Sequence, residues 1–153
     1  MLKRVKSSIF LRIITNFLMI PLNKKIIAVD FDGTIVEDKY PSIGKPIMFA
    51  FETLKMLQKD GYRLILWTYR TGESLHDAVK FCSENGVEFY AVNKNFPEEL
   101  YTEETPRKLN VDLFIDDRNV GGFIGWGKIY QLLSGGDPTD LKNKKKTFFG
   151  FKR

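Results

Sequence analysis

The stretch Asp30-Phe31-Asp32-Gly33-Thr34 sets two carboxylates two residues apart, directly after the apolar run Ile26-Ile27-Ala28-Val29. Side chains alternate along an extended chain, so Asp30 and Asp32 leave on one side while Phe31 turns away to pack. A second acidic pair, Asp116-Asp117, follows the apolar Leu113-Phe114-Ile115. Carboxylates gathered in a partly desolvated place repel one another unless they are protonated or paired with a cation. Mg²⁺ suits an oxygen-only, nearly histidine-free set, because it takes a few carboxylates together with water and substrate phosphate. Asp30, Asp32, Asp116 and Asp117 are therefore the candidate metal residues, with Asp117 able to act directly or by orienting another ligand. The lone His76 reads as a surface residue of a helix.

A carboxylate can also attack phosphorus and form an aspartyl-phosphate that water then hydrolyses. Asp30 is the expected nucleophile. Asp32 would protonate the leaving oxygen and afterwards activate water, one side chain serving both half-reactions. Thr68 is placed to donate a hydroxyl hydrogen bond to a phosphoryl oxygen, and a lysine would complete the phosphate site. Lys108 is the first choice for that lysine and Lys94 the alternative.

These residues need a scaffold that brings distant parts of the chain to one edge. Ile26 to Val29 is an almost continuous apolar run, which reads as a strand buried on both faces of a parallel sheet. Ile47, Phe51, Leu54 and Leu57 recur at helical spacing, and Arg63-Leu64-Ile65-Leu66-Trp67-Thr68 forms a second strand beyond Gly61. A helix over about 74–84, a strand at Phe89-Tyr90-Ala91-Val92 and a strand over 111–116 continue the alternation, with Ile129-Tyr130 expected as a short fifth strand. The pattern predicts a three-layer α/β domain with a mostly parallel, Rossmann-like sheet of about five strands. Ligands in such sheets sit beyond the carboxyl ends of the strands, where Asp30, Asp32, Thr68, Asp116 and Asp117 all fall.

Taken together, Asp30-Phe31-Asp32-Gly33-Thr34, Thr68 after Leu64-Ile65-Leu66-Trp67, Lys108 and Asp116-Asp117 resemble the four motifs of the haloacid dehalogenase-like superfamily, over roughly residues 25–132. The resemblance implies a HAD-like domain and a Mg²⁺-dependent phosphatase. It matches Asp30 to the nucleophile, Asp32 to the acid/base, Thr68 and Lys108 to phosphate binding, and Asp116 with Asp117 to metal-binding acids. It further implies that the backbone carbonyl of Asp32 is a metal ligand. Only about 35 residues separate Asp32 from Thr68, and the interval from Val92 to Val111 holds at most a short lid or helix, so no large cap is expected. The preferred substrate is a small phosphorylated metabolite. Two alternatives stand beside it: a non-catalytic phosphoryl-binding or metal-binding domain, and a phosphatase acting on nucleic-acid ends or another macromolecule.

Length and composition bound these readings. The chain has 153 residues, 43% of them hydrophobic, enough for one domain and too few for two. The expected organisation is a basic, partly apolar extension over 1–24, a catalytic domain over 25–141 and a basic tail over 142–153. The formal charge of +5 is uneven: residues 1–25 and 142–153 each carry six bases and no acid, leaving 12 bases against 19 acids between them. A net positive charge therefore does not define a basic binding face, and nucleic acid is not the favoured partner. The segment Ser8 to Ile20 is interrupted by Arg12 and Asn16 and falls short of a membrane span, although peripheral membrane contact is compatible with it. Translation starting at Met19 is an alternative to Met1. A single cysteine, Cys82, excludes an intramolecular disulfide framework and suits a cytoplasmic, reducing setting. The glycines over 121–127 follow the acidic pair without the spacing of a dinucleotide loop. Trp126, Tyr62, Trp67, Phe81 and Cys82 read as packing residues, Arg118 as a brace for the Asp116-Asp117 pair, and Arg70 equally as a brace or a phosphate contact.

Overall fold

The computed structural model describes residues 25–135. The proposed terminal segments, 1–24 and 142–153, and the Met19 start lie outside them. Four strands, β1 (Ile26–Val29), β2 (Arg63–Leu66), β3 (Ala91–Val92) and β4 (Leu113–Ile115), form one parallel sheet in the order β3-β2-β1-β4. The helices are α1 (Ala50–Lys59), α2 (Gly72–Glu84) and α3 (Trp126–Leu133).

Alternation along the strands divides the core in two. Ile27, Val29, Leu64, Leu66 and Ile115 face the helices and pack with Leu54 and Leu57 of α1, Ala78 and Cys82 of α2, and Trp126 and Ile129 of α3. Ala28, Ile65 and Ala91 point the other way, against Leu109 and the half-buried Trp67, Tyr90 and Val111. The three helices of the described residues thus cover one face. The other is covered by the non-helical connection from β3 to β4, which forms the third layer and carries no large cap. α2 ends in a Schellman arrangement: Gly86, at φ 81°, donates to the Ser83 carbonyl at 2.8 Å and Val87 to the Cys82 carbonyl at 3.0 Å.

One expected element differs. Ile129-Tyr130 belongs to α3 and not to a fifth strand. Trp126, Ile129, Tyr130 and Leu133 recur at helical spacing after the turn at Gly125, and the helix packs on α1, where Tyr62 donates its hydroxyl to the Leu133 carbonyl at 3.0 Å. A two-residue apolar pair is ambiguous alone; its neighbours at three- and four-residue spacing decide the period.

The register fixes the height of the strand ends. Val29 pairs with both Leu66 and Ile115, so the next residues, Asp30, Trp67 and Asp116, emerge at one level. Two further bonds extend the ladder past the strands, from the Trp67 N–H to the Val29 carbonyl at 2.8 Å and from the Asp30 N–H to the Ile115 carbonyl at 2.9 Å. Strand order reverses between β1 and β4, which is where ligands enter parallel α/β sheets. No helix among the described residues is long and apolar enough to cross a membrane.

Candidate metal and phosphoryl-transfer site

Asp30, Asp116 and Asp117 meet at that reversal, each offering a carboxylate oxygen, all within 4.8 Å of one another. Oxygens of a single Mg²⁺ shell lie at most about 4.2 Å apart, twice a metal–oxygen bond, so the three acids stand close to a coordination set. Their electrostatics call for a cation. Burial pushes the Asp30 carboxyl up to about 7, and Asp116 and Asp117 add to the rise against the hydrogen bonds from the Phe31 amide and the Thr34 hydroxyl. Asp117 is raised as well, by burial and by Asp116. Its Oδ1 is buried without a hydrogen-bond partner. An orphaned carboxylate oxygen beside two further carboxylates fits a hard divalent ion, since unpaired charge away from water is otherwise costly.

Local chain geometry builds this cluster. Gly33 sits at φ 83°, and a Cβ there would lie 2.3 Å from Asp117 Oδ2, so only glycine lets β1's loop pass under the second acidic pair. Thr34 is fully buried and joins the two acidic segments: its hydroxyl donates to Asp30 Oδ2 at 3.1 Å and accepts the Asp117 N–H at 3.0 Å. The Thr34 carbonyl accepts the Trp126 indole N–H at 2.8 Å, which anchors α3 beneath the site. The Arg118 N–H donates to Asp116 Oδ1 at 2.8 Å and fixes that carboxylate's orientation.

Asp32 stands apart from the acidic triad. Both of its oxygens accept from Arg70, Oδ2 from Nε and Oδ1 from Nη2, each at 2.7 Å. Arg70 is fully buried, and its guanidinium also reaches the carbonyls of Pro41 and Ser42, both at 2.8 Å, and that of Ser74 in the first turn of α2 at 3.4 Å. Its guanidinium lies 5.0 Å from the Phe31 ring centre and 5.3 Å from that of Tyr40. Asp32 holds this arginine firmly protonated. Arg70 is therefore a brace, tying Asp32, the start of α2 and the 37–46 loop into one unit.

A cavity of about 650 Å³ opens over these groups, lined by Asp30, Asp32, Asp38, Tyr40, Trp67, Thr68, Tyr69, Asp116 and Arg118. The Thr68 amide donates to Asn93 Oδ1 at 2.8 Å, and its hydroxyl accepts the Arg70 N–H at 3.2 Å. Lys108 is exposed just before Leu109, and Lys94 donates its ammonium to the Pro97 carbonyl at 2.5 Å. Neither lines the cavity. The structure thus gathers Asp30, Asp32, Thr68 and Asp116 around one space with Asp117 behind them, and it leaves both lysines outside.

Several contributors were not read from the sequence. Thr34 sits inside the first motif, but its double role depends on a partner 83 residues away. Asn93 follows β3 with φ 53°, a left-handed conformation that asparagine tolerates, and such a residue at a strand end was an available signal. Asp38, Tyr40 and Tyr69 carry no spacing pattern that would place them at a cavity. Trp67 both packs on the second core and lines the cavity. Arg118 reaches Asp38 with its guanidinium at 3.8 Å across the mouth, while its backbone amide does the bracing.

The architecture is that of a parallel α/β domain with a cluster of three aspartates able to hold a metal ion at the reversal of strand order. Among solved structures the chain is similar to a conserved protein from Bacteroides thetaiotaomicron, with 57% identity, a TM-score of 0.70, and coverage of 74% of this chain and 92% of that one. The chain belongs to the same family as that conserved protein. No protein-family model matches it, and no curated protein does.

Proposed function

We propose that this protein is a Mg²⁺-dependent phosphomonoester hydrolase of the haloacid dehalogenase-like superfamily, acting on a small phosphorylated molecule through an aspartyl-phosphate. The observation that carries this reading is the meeting of Asp30 with Asp116 and Asp117 beneath an open cavity, with Asp117 Oδ1 buried and unpartnered. Asp30, Asp116 and Asp117 would hold the ion. Bound there, Mg²⁺ would offset the repulsion between carboxylates and phosphate and stabilise the transferring group.

The chain's own residues then divide the work. Thr34 holds one oxygen of Asp30, aiming the other at phosphorus. Attack forms the Asp30 oxygen–phosphorus bond and breaks the ester phosphorus–oxygen bond, with Asp32 supplying the proton to the departing alcohol. Water attacks the same phosphorus, Asp32 takes its proton, and the Asp30–phosphorus bond breaks to release phosphate. Donation by Asp32 requires it to give up at least one of its two bonds to Arg70, whereas the ion-paired carboxylate suits the second, base step. Thr68 lines the cavity as a donor toward phosphoryl oxygens. No step is assigned to Lys108 or Lys94.

The Asp32–Arg70 pair also favours a second reading, a phosphoryl-binding domain without turnover, because it occupies the acid that catalysis needs. A panel of phosphomonoesters with Mg²⁺ separates the two. Hydrolysis abolished by chelation supports the enzyme, and saturable binding without product supports the binding domain. A nucleic-acid substrate is less favoured, since among the described residues that line the cavity four of nine are aspartates and only Arg118 is basic.

A further inference from the structure

We infer that the cavity above the acidic triad takes a phosphate monoester whose organic part is a flat, uncharged aromatic or heteroaromatic ring, a nucleoside monophosphate being the simplest example. This rests on the phosphatase reading above and extends it from the reacting phosphate to the body of the substrate.

Size and charge narrow the candidates together. A cavity of about 650 Å³ lies within the range of small-molecule sites and far exceeds one phosphate. Asp30, Asp32, Asp38 and Asp116 line it against the single guanidinium of Arg118, which is itself engaged with Asp38. Among the described residues, a second phosphate or a polyanionic strand would meet no cationic partner there beyond Arg118. What lies beyond the reacting group must carry no further negative charge.

Apart from Thr68, the remaining wall is aromatic: Tyr40, Trp67 and Tyr69. Two of the three are held in place before any ligand arrives. Trp67 packs on Ala28, Ile65, Ala91 and Leu109. Tyr40 lies over the buried Arg70 guanidinium, and the same arginine grips the next two carbonyls, those of Pro41 and Ser42. Tyr69 is 93% exposed and Tyr40 53%, so the fold does not use these ring faces for its own core. Preformed aromatic faces beside a phosphate site bind planar rings by stacking.

The test compares adenosine 5′-monophosphate with ribose 5-phosphate, which share a primary 5-hydroxyl as leaving alcohol and differ in the base that replaces the anomeric hydroxyl. Binding is read by isothermal titration calorimetry in the full-length Asp30→Asn protein with Mg²⁺, alone and combined with each ring substitution. Turnover is read in the wild type. The nucleotide should bind at least about tenfold more tightly than the sugar phosphate. That preference should shrink toward unity in Trp67→Ala and in Tyr69→Ala, the second being an exposed position where folding is not at stake. Equal affinity for the two compounds, or binding of neither, overturns the ring proposal. Hydrolysis of both at equal efficiency also overturns it while leaving the phosphatase reading intact. Ring-dependent binding without hydrolysis in the wild type upholds it and removes the phosphatase reading.

Discussion

At the scale of single residues, the site gathers carboxylates where burial favours their neutral form. Asp30 is raised from 3.8 to about 7 by burial and by its acidic neighbours, and Asp117 moves the same way. Between pH 3.8 and about 7 the metal-free folded protein therefore binds more protons at Asp30 than the unfolded chain does. This group's contribution to stability is greatest below pH 3.8 and declines as pH rises through about 7. A divalent ion competes with those protons, so the stabilisation by Mg²⁺ should be larger at pH 8 than at pH 5.5. Melting temperatures with and without Mg²⁺ at the two pH values check this, and an equal shift at both would contradict it. Loss of the nucleophile should be severe: Asp30→Asn is expected to lower turnover at least about a thousandfold, measured as phosphate release under saturating substrate.

Single elements act here through the loops that leave them. The loop after β1 passes beneath Asp117 only because Gly33 has no side chain. Gly33→Ala must strain a positive φ and displace the Asp117 carboxylate, so it should destabilise the fold by about 1–3 kcal/mol and weaken Mg²⁺ binding, read by chemical denaturation and calorimetry. The loop after β2 delivers Arg70 into the interior. Removing it in Arg70→Met leaves the largely buried Asp32 unpaired, at about 3–5 kcal/mol. Adding Asp32→Asn to Arg70→Met should recover part of that loss. Hydrogen exchange over residues 37–46 should quicken in Arg70→Met, because Pro41 and Ser42 lose the donors that hold their carbonyls. Strand ends and acidic pairs were legible in the sequence because apolar runs stopping at aspartate report a buried sheet meeting a polar edge. For Arg70 the sequence left a brace and a phosphate contact open, since the partners that decide it, Asp32, Pro41 and Ser42, lie 28 to 38 residues away and no local pattern encodes them. The helix over 126–133 was misread because the two apolar residues considered for a strand fit either period.

For the whole molecule, the sheet order explains why residues so far apart in sequence do one job. β1 and β4 are neighbours although more than 80 residues separate them, and their common register brings Asp30 beside Asp116. The covering of the second face by the Asn93–Val111 stretch, without a helix, leaves the mouth open and lined by rings and acids. The charge distribution belongs to this scale too: the basic residues cluster at the two ends, while the stretch between them holds 12 bases and 19 acids. Turnover of a small phosphomonoester should therefore change less than about twofold between 50 and 200 mM salt, against losses of about a thousandfold for binding that rests on many phosphate contacts. Steady-state rates across that salt range check it. The central claim, that Asp30 attacks phosphorus within a cation-binding acidic triad, is tested most directly by rapid acid quench of the turning-over enzyme followed by peptide mass spectrometry. A phosphoryl group is expected on Asp30 that requires Mg²⁺ and disappears in Asp30→Asn together with activity. Mg²⁺-dependent hydrolysis at a near-normal rate in Asp30→Asn, with no label on the wild-type Asp30 peptide, would contradict it.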